Sequence, residues 1–199
     1  RELFLRIYNT AKSSSNTLYD SIARNALFHI LHLGAQINKF SKDLFLEYLK
    51  NPARVYQNMN HNYVRTKKIS ETYWDFLPGI NYGEEAEMIK AYLEDIFYGA
   101  EKMEPFDEYL DAGYLKRTFY TVKLMKGETV SQVHGIFSHD ELKRLNEAKE
   151  LTLSKDNKQY FKGNEEVKLT MIIKNIPNLL IKVKIIPTVT NLLDFRVLP

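Results

Sequence analysis

The 199-residue chain contains no cysteine, only one tryptophan, eight glycines and six prolines. Without cysteine there is no thiol nucleophile, no disulfide framework, and no thiolate site for zinc or an iron–sulfur cluster. No N-x-[ST] glycosylation acceptor occurs, and no apolar run approaches the roughly 20 residues a bilayer-crossing helix needs. The chain opens on Arg1 with no signal-peptide pattern before its first amphipathic stretch. These features lead to the expectation of an intracellular segment that is a processed product or a piece of something longer. Catalytic signatures are missing too: neither G-x-S-x-G, G-x-x-x-x-G-K-[ST] nor G-x-G-x-x-G is present.

What the chain does have is aromatic surface. Thirteen tyrosines and eleven phenylalanines, with Trp74, must be packed in a core or against a partner, because they are costly to leave in water. Hydrophobic residues make up 44% and charged residues 27%, a balance that argues for a folded chain. The net charge of +3 does not by itself imply nucleic acid. Its distribution is segregated. Seven Lys or Arg face two acids between Lys39 and Lys68, ten acids face two lysines between Glu84 and Asp111, and eight basic residues face four acids after Leu151. Solvated faces of separate helices explain such blocks, and so does steering of a charged partner.

Periodicity divides the chain near residue 150. Before it, apolar spacing is helical. A short amphipathic helix covers ELFLRIY, residues 2–8, and Ser13–Ser15 reads as a loop. A second helix runs from a Thr17 cap to about Gln36, with Leu18, Ile22, Ala26 and Ile30 on one face. A third begins after Ser41. Asn51-Pro52 ends it and opens another through Val55, Tyr56, Met59 and Tyr63. SETYWDFLPG, residues 70–79, reads as a short helix closed by Pro78-Gly79.

From Gly83 a helix starts with three glutamates at its positive dipole end and stops at Gly99 in a left-handed conformation. Pro105 opens the next, which reaches Met125 with Gly127 as its stop. Ser138 and Glu141 have capping-box spacing ahead of Leu142 and Leu145. After residue 150 the period becomes two. Residues 165–175 and 179–186 alternate, and Asn175–Asn178 joins them as a β-hairpin. A lone hairpin is marginal in water, so it needs strands from Leu151–Leu153, Tyr160-Phe161 or the tail. The expected fold class is α+β, a helical domain over 1–150 followed by a β-rich module over 151–199.

YFKGNEEVKLTMIIKN, residues 160–175, resembles the opening strands of a macroglobulin or related immunoglobulin-like β-domain. An aromatic, a short glycine turn, an acid and a valine lead into an alternating strand. The resemblance departs at Lys162, where those domains carry proline, and thioester chemistry cannot carry over without cysteine. It implies an immunoglobulin-like sandwich fragment acting as a binding or spacer module.

Candidate chemistry centres on NALFHILHLGAQ, residues 25–36. On a helical wheel Ser21, Asn25, His29, His32 and Gln36 fall within roughly 80 degrees, forming a polar stripe along an apolar helix. A metal site would need carboxylates at H-E-x-x-H or E-x-x-H spacing, and neither occurs. The stripe is better read as a seam between helices or a face toward another protein. No catalytic residue, metal ligand, cofactor or small-molecule substrate is assigned, and an enzyme would need a non-contiguous site near His29 and His32.

The favoured function is a non-catalytic interaction or scaffold segment of a larger protein or assembly, with other protein subunits as partners. Tyr63, Tyr73, Trp74, Phe76 and Tyr82 form the candidate interface, and the acidic helix is a candidate electrostatic partner site. The alternative is an accessory RNA-contacting component of a ribonucleoprotein. It would use Arg65, Lys67 and Lys68 with the hairpin lysines Lys168, Lys174, Lys182 and Lys184. Hairpin lysines also protect sheet edges from aggregation.

Overall fold

The computed structural model of the chain describes residues 1–14, 16, 18–52, 58–67, 79, 81–131, 133, 135–154, 157, 158, 160–162 and 165–182, with backbone alone for Leu18, Lys67 and Tyr82. Among them the order is α1 (Glu2–Lys12), α2 (Leu18–Gln36), α3 (Lys42–Lys50), α4 (His61–Lys67), α5 (Tyr82–Gly99), a 3-10 turn (Phe106–Glu108), α6 (Ala112–Met125), α7 (His139–Glu147), β1 (Glu150–Leu153) and β2 (Met171–Lys174). The fold is α+β, a mainly helical body followed by a small antiparallel sheet. The predicted helix at 70–79 lies outside the described residues, Gly79 excepted.

The helical body forms around α2. Helices α1, α3 and α5 all pack against it, and α5 carries α6. Phe28, Ile30 and Leu31 of α2 are fully buried, as are Phe45, Tyr48 and Leu49 of α3 and Tyr92, Leu93 and Phe97 of α5. Aromatic rings tile this core. Phe45 stacks on Tyr92 at 4.9 Å between centroids, and Phe97 meets Phe106 and Phe119 edge-on at 5.8 and 5.1 Å. Such offset and T-shaped pairs match the ring quadrupoles. Where α2 passes α5, a Cβ on Gly34 would lie 2.7 Å from the Lys39 carbonyl oxygen and 2.8 Å from the Tyr92 hydroxyl, so only glycine fits. A satellite cluster of Leu124, Val133 and Phe137 joins α6 to α7.

Several ends follow the local chemistry. Ser138 and Glu141 make the reciprocal capping box at the start of α7. Gly127, at φ +86, closes α6 with Gly127 N–H donating to Leu124 O and Glu128 N–H to Lys123 O. That pair of bonds is a Schellman motif.

Four expectations change. The helix expected through Met59 is interrupted, because residues 58–60 pair with 109–111 instead. Asn60 N–H donates to Tyr109 O at 2.9 Å and Asp111 N–H to Asn58 O at 2.8 Å, flanking a Met59–Leu110 bridge. The same pairing divides the helix expected from Pro105 to Met125. Its first part becomes the 3-10 turn, and α6 starts afresh where the Asp111 side chain accepts from Tyr114 N–H at 2.9 Å. Gly99 stays helical, and α5 ends on Ala100 in extended conformation without a left-handed residue.

The fourth change is strand pairing. Among the described residues β2 pairs with β1, the Leu151–Leu153 stretch offered as a completing strand, in register Glu150↔Lys174 to Leu153↔Met171. The Asn157 side chain extends that ladder, donating to Thr170 O and accepting from Thr170 N–H, both at 2.7 Å. Residues 179–182 are not in a strand, and 183–186 lie outside the described residues.

Candidate interaction surface

The polar stripe of α2 runs along its contact with α1. Phe4 of α1 stacks on His29 with centroids 4.7 Å apart and planes at 22°, and Phe28 meets the same ring edge-on at 5.2 Å. His32 lies against Phe28 at 5.6 Å, with its Nε2 2.9 Å from Gln36 Nε2. Ser21 is buried, and Asn25 Oδ1 is buried with no hydrogen-bond partner among the described residues. The imidazoles are thus packed by rings and an amide. Among the described residues no group of three or more His, Asp or Glu converges as a metal site would require.

Of the candidate interface residues, Tyr63 belongs to the core. It is 7% exposed, crosses Tyr109 edge-on at 4.9 Å, and its hydroxyl donates to Lys50 O at 2.7 Å. Its helical spacing is indistinguishable from that of an exposed aromatic until the 109–111 segment pairs beside it. Tyr73, Trp74 and Phe76 lie outside the described residues, and Tyr82 is the first residue of α5.

The candidate basic surface is dispersed. Arg65 is exposed on α4, which Lys67 ends, while Lys68 and Lys184 lie outside the described residues. Lys168 is exposed and 3.0 Å from Glu166, and Lys182 is exposed. Lys174 points the other way. Its Nζ donates to Leu124 O near the end of α6 and, at 2.8 Å, to Leu145 O in the last turn of α7. A cation there meets the negative ends of two helix dipoles, adding a donor to Leu124 O, which also accepts from Gly127 N–H, and one to Leu145 O. Burial lowers its pKa, with Glu150 opposing. The neighbouring Asn175, at φ +54, donates from Nδ2 to Asn146 O at 2.5 Å and Ala148 O at 2.9 Å. Lys174 is therefore a fastening between sheet and helices, not an outward phosphate contact.

The acidic block is a ridge. On α5 the buried stripe is Glu85, Met88, Ile89, Tyr92, Leu93 and Phe97, leaving Glu84, Glu87, Lys90 and Glu94 outside. Glu101, Glu104, Asp107 and Glu108 continue the exposed negative charge toward α6. Lys90 stands 3.7 Å from Glu94, a solvent-screened pair.

Glu85 is the residue that residue type concealed. It is fully buried and accepts a hydrogen bond from the Tyr48 hydroxyl. The signal was its position, three and four residues before Met88 and Ile89 on the apolar stripe. The outer face of α7 carries an open depression of about 410 Å³ lined by Asp140, Lys143, Arg144, Glu147 and Ala148. It mixes both charges on one solvated helix face.

Geometry thus offers a packed helical body with charged outer faces. The family model described as the actin-binding protein F N-terminal domain matches residues 16–149. The chain belongs to that family. The actin-binding protein F N-terminal match begins just before α2 and ends just before β1, so it covers the body built around α2 except α1. Residues 160–175 lie beyond it. A relative is actin-binding protein F of Dictyostelium discoideum, 19% identical over 160 residues that cover 78% of this chain and 7% of that protein. The chain therefore spans a small fraction of that relative's length. No solved structure matches it.

Proposed function

We propose that this chain is a non-catalytic binding segment of a larger cytoskeletal protein, and that actin is its partner. The observation that carries the reading is the family match over the helical body, taken with the name of the Dictyostelium relative. The charged outer faces of that body are consistent with a protein-binding role. The RNA-contacting alternative loses support, because Lys174, one of its four β-region lysines, is engaged by helix carbonyls.

Within this reading Tyr73, Trp74, Phe76 and Tyr82 are the contact residues, and the acidic ridge of Glu84, Glu87 and Glu94 supplies the charge. Large aromatics anchor interfaces by desolvation, while a ridge of one sign accelerates encounter with a basic patch and makes it salt-dependent. The test is sedimentation of the 199-residue chain with filamentous actin over a salt series, paired with binding to monomeric actin. Saturable binding is expected, weakened about tenfold or more by Trp74→Ala with helical circular dichroism unchanged. Glu87→Lys with Glu94→Lys should remove most of the salt dependence. A chain that binds neither filament nor monomer overturns the reading. If Trp74→Ala unfolds the protein, Trp74 is core and the contact surface lies elsewhere.

A further inference from the structure

Helix α1 lies against the family domain but outside it. The family match begins at residue 16, after α1, and α1 packs chiefly on α2, whereas α2 also carries α3 and α5. Phe4, Tyr8 and Ala11 form the inner edge of α1 at i, i+4 and i+7 spacing. Tyr8 and Ala11 are buried, and Phe4 is half-buried on His29. At the last turn Lys12 Nζ donates to the Tyr8 hydroxyl at 3.1 Å and to Glu47 of α3 at 2.5 Å. A short amphipathic helix held in a groove by anchors at this spacing is one of the ways proteins take up a partner's helix. The seam beneath α1 also differs from the rest of the core. Where α3 meets α5 the contact is aromatic, while α2 offers α1 the polar stripe of Ser21, Asn25 and His29. Asn25, one turn before His29, keeps a buried Oδ1 with no hydrogen-bond partner among the described residues. An acceptor shut away from water without a donor opposes the contact that encloses it. The Lys12–Glu47 pair faces solvent and adds little in return.

We propose that α1 is an intramolecular cover on a helix-docking groove of the family domain, and that an amphipathic partner helix of the same chemistry displaces it. The seating of α1 specifies that helix. It carries two aromatics one turn apart, the first to stack on His29, then a small residue three positions on and a cation beside it for Glu47. A tethered α1 competes at high effective concentration, so a partner's apparent affinity falls by the fraction of chains whose groove is open. Exchange at this seam is independent of actin binding, and its test uses no actin.

The absence of cysteine supplies a clean probe. Ala11→Cys places a thiol on the inner edge of α1, and Val122→Cys places one in the core on α6, at native positions only 4% and 7% exposed. Native-state maleimide labelling is timed in the full 199-residue chain. The thiol at position 11 should label about tenfold faster or more, because α1 opens while the body stays closed. Equal rates would mean that α1 leaves only when the whole body unfolds, and would overturn the proposal. The second probe is a fluorescent peptide of residues 1–14, followed by anisotropy. It should bind saturably, one per chain, to the full chain carrying Phe4→Ala and Tyr8→Ala, whose own α1 no longer seats. Binding to the unaltered chain should be about tenfold weaker or more, since the tethered helix competes. A peptide carrying the same two alanines should not bind. Absence of saturable binding to the alanine chain, or equal binding to both chains, overturns the proposal. Loss of cooperative unfolding in the alanine chain also overturns it, because α1 would then be a part of the fold and not its cover.

Discussion

The helical body and the sheet contain similar apolar residues and treat them in opposite ways. In the body, each stripe meets another element. Phe28 of α2 approaches Tyr48 of α3, and Phe45 of α3 stacks on Tyr92 of α5. In the sheet, Leu151 and Leu153 face Ile173 and Met171 across one ladder and have no layer above them among the described residues. Attachment of the sheet is correspondingly polar, through Lys174 and Asn175 to helix-end carbonyls. A helix can bury its stripe against a neighbour of its own kind, whereas two strands must borrow a covering layer.

The contrast breaks most visibly at Phe28. Its ring is fully buried between α2 and α3, so Phe28→Ala removes packing and leaves a cavity costing about 3–5 kcal/mol. Urea denaturation followed at helical wavelengths should show a large fall in midpoint. An unchanged midpoint would mean that the body is not held by this aromatic core. A smaller loss is expected for Tyr48→Phe, which deletes the hydroxyl donor to the buried Glu85 side chain. Removing one partner of a buried hydrogen bond costs about 1–3 kcal/mol, and Glu85→Gln combined with Tyr48→Phe should cost less than the sum of the two. Strict additivity would show that the two groups do not interact.

Much of the body was legible in the sequence because its signals are local. The start of α7 follows from Ser138 and Glu141, the end of α6 from Gly127, and the register of α5 from its apolar spacing. What was not legible depends on partners distant in sequence. Asn58 and Asn60 sit in an amide-rich run that would serve as a loop or a helix start, and only the 109–111 segment makes their backbone a bridge. Tyr63 became core for the same reason. Lys174 alternates with apolar neighbours as an outward lysine would, and nothing in that alternation announces two helix C-termini waiting for a cation. The stripe on α2 was visible as a pattern, whereas its pairing with Phe4 needed the α1 contact. For the proposed actin contact, Tyr73, Trp74 and Phe76 rest on residue chemistry alone.

Lys174→Met sharpens the comparison by releasing the sheet without touching the body. The two carbonyls it leaves sit at helix ends, where water can replace the lost donor, so global stability should change by about 1 kcal/mol or less. Hydrogen exchange should localise the effect. Amides of Glu150–Leu153 and Met171–Lys174 should lose protection, while those of α5 keep theirs. Equal loss in both regions would mean that sheet and body unfold as one unit. No change in either would mean that apolar cover, rather than this lysine, holds the sheet.

The smallest effect belongs to the capping box of α7, which lies between the two regions. Glu141 accepts from Ser138 N–H at 2.9 Å and pairs with Arg117. Those partners, the backbone donor first, hold its carboxyl below the ordinary value of 4.5. Because the folded pKa is depressed, the unfolded chain binds more protons in the acid window. The stabilisation is therefore complete above the ordinary carboxylate pKa and disappears as pH falls through the folded value. Protection of the α7 amides should stay flat from pH 7 to about 5 and decline below about 4.5. Glu47, Glu128 and Glu165 are also held low and titrate in the same range, so a global unfolding curve would blur the four. The reading must come from α7 itself. Glu141→Gln keeps a side chain that can reach back to the Ser138 N–H but removes the titrating group, so its α7 protection should lose the acid step. A step that persists in Glu141→Gln would show that the Glu141 carboxyl is not its source.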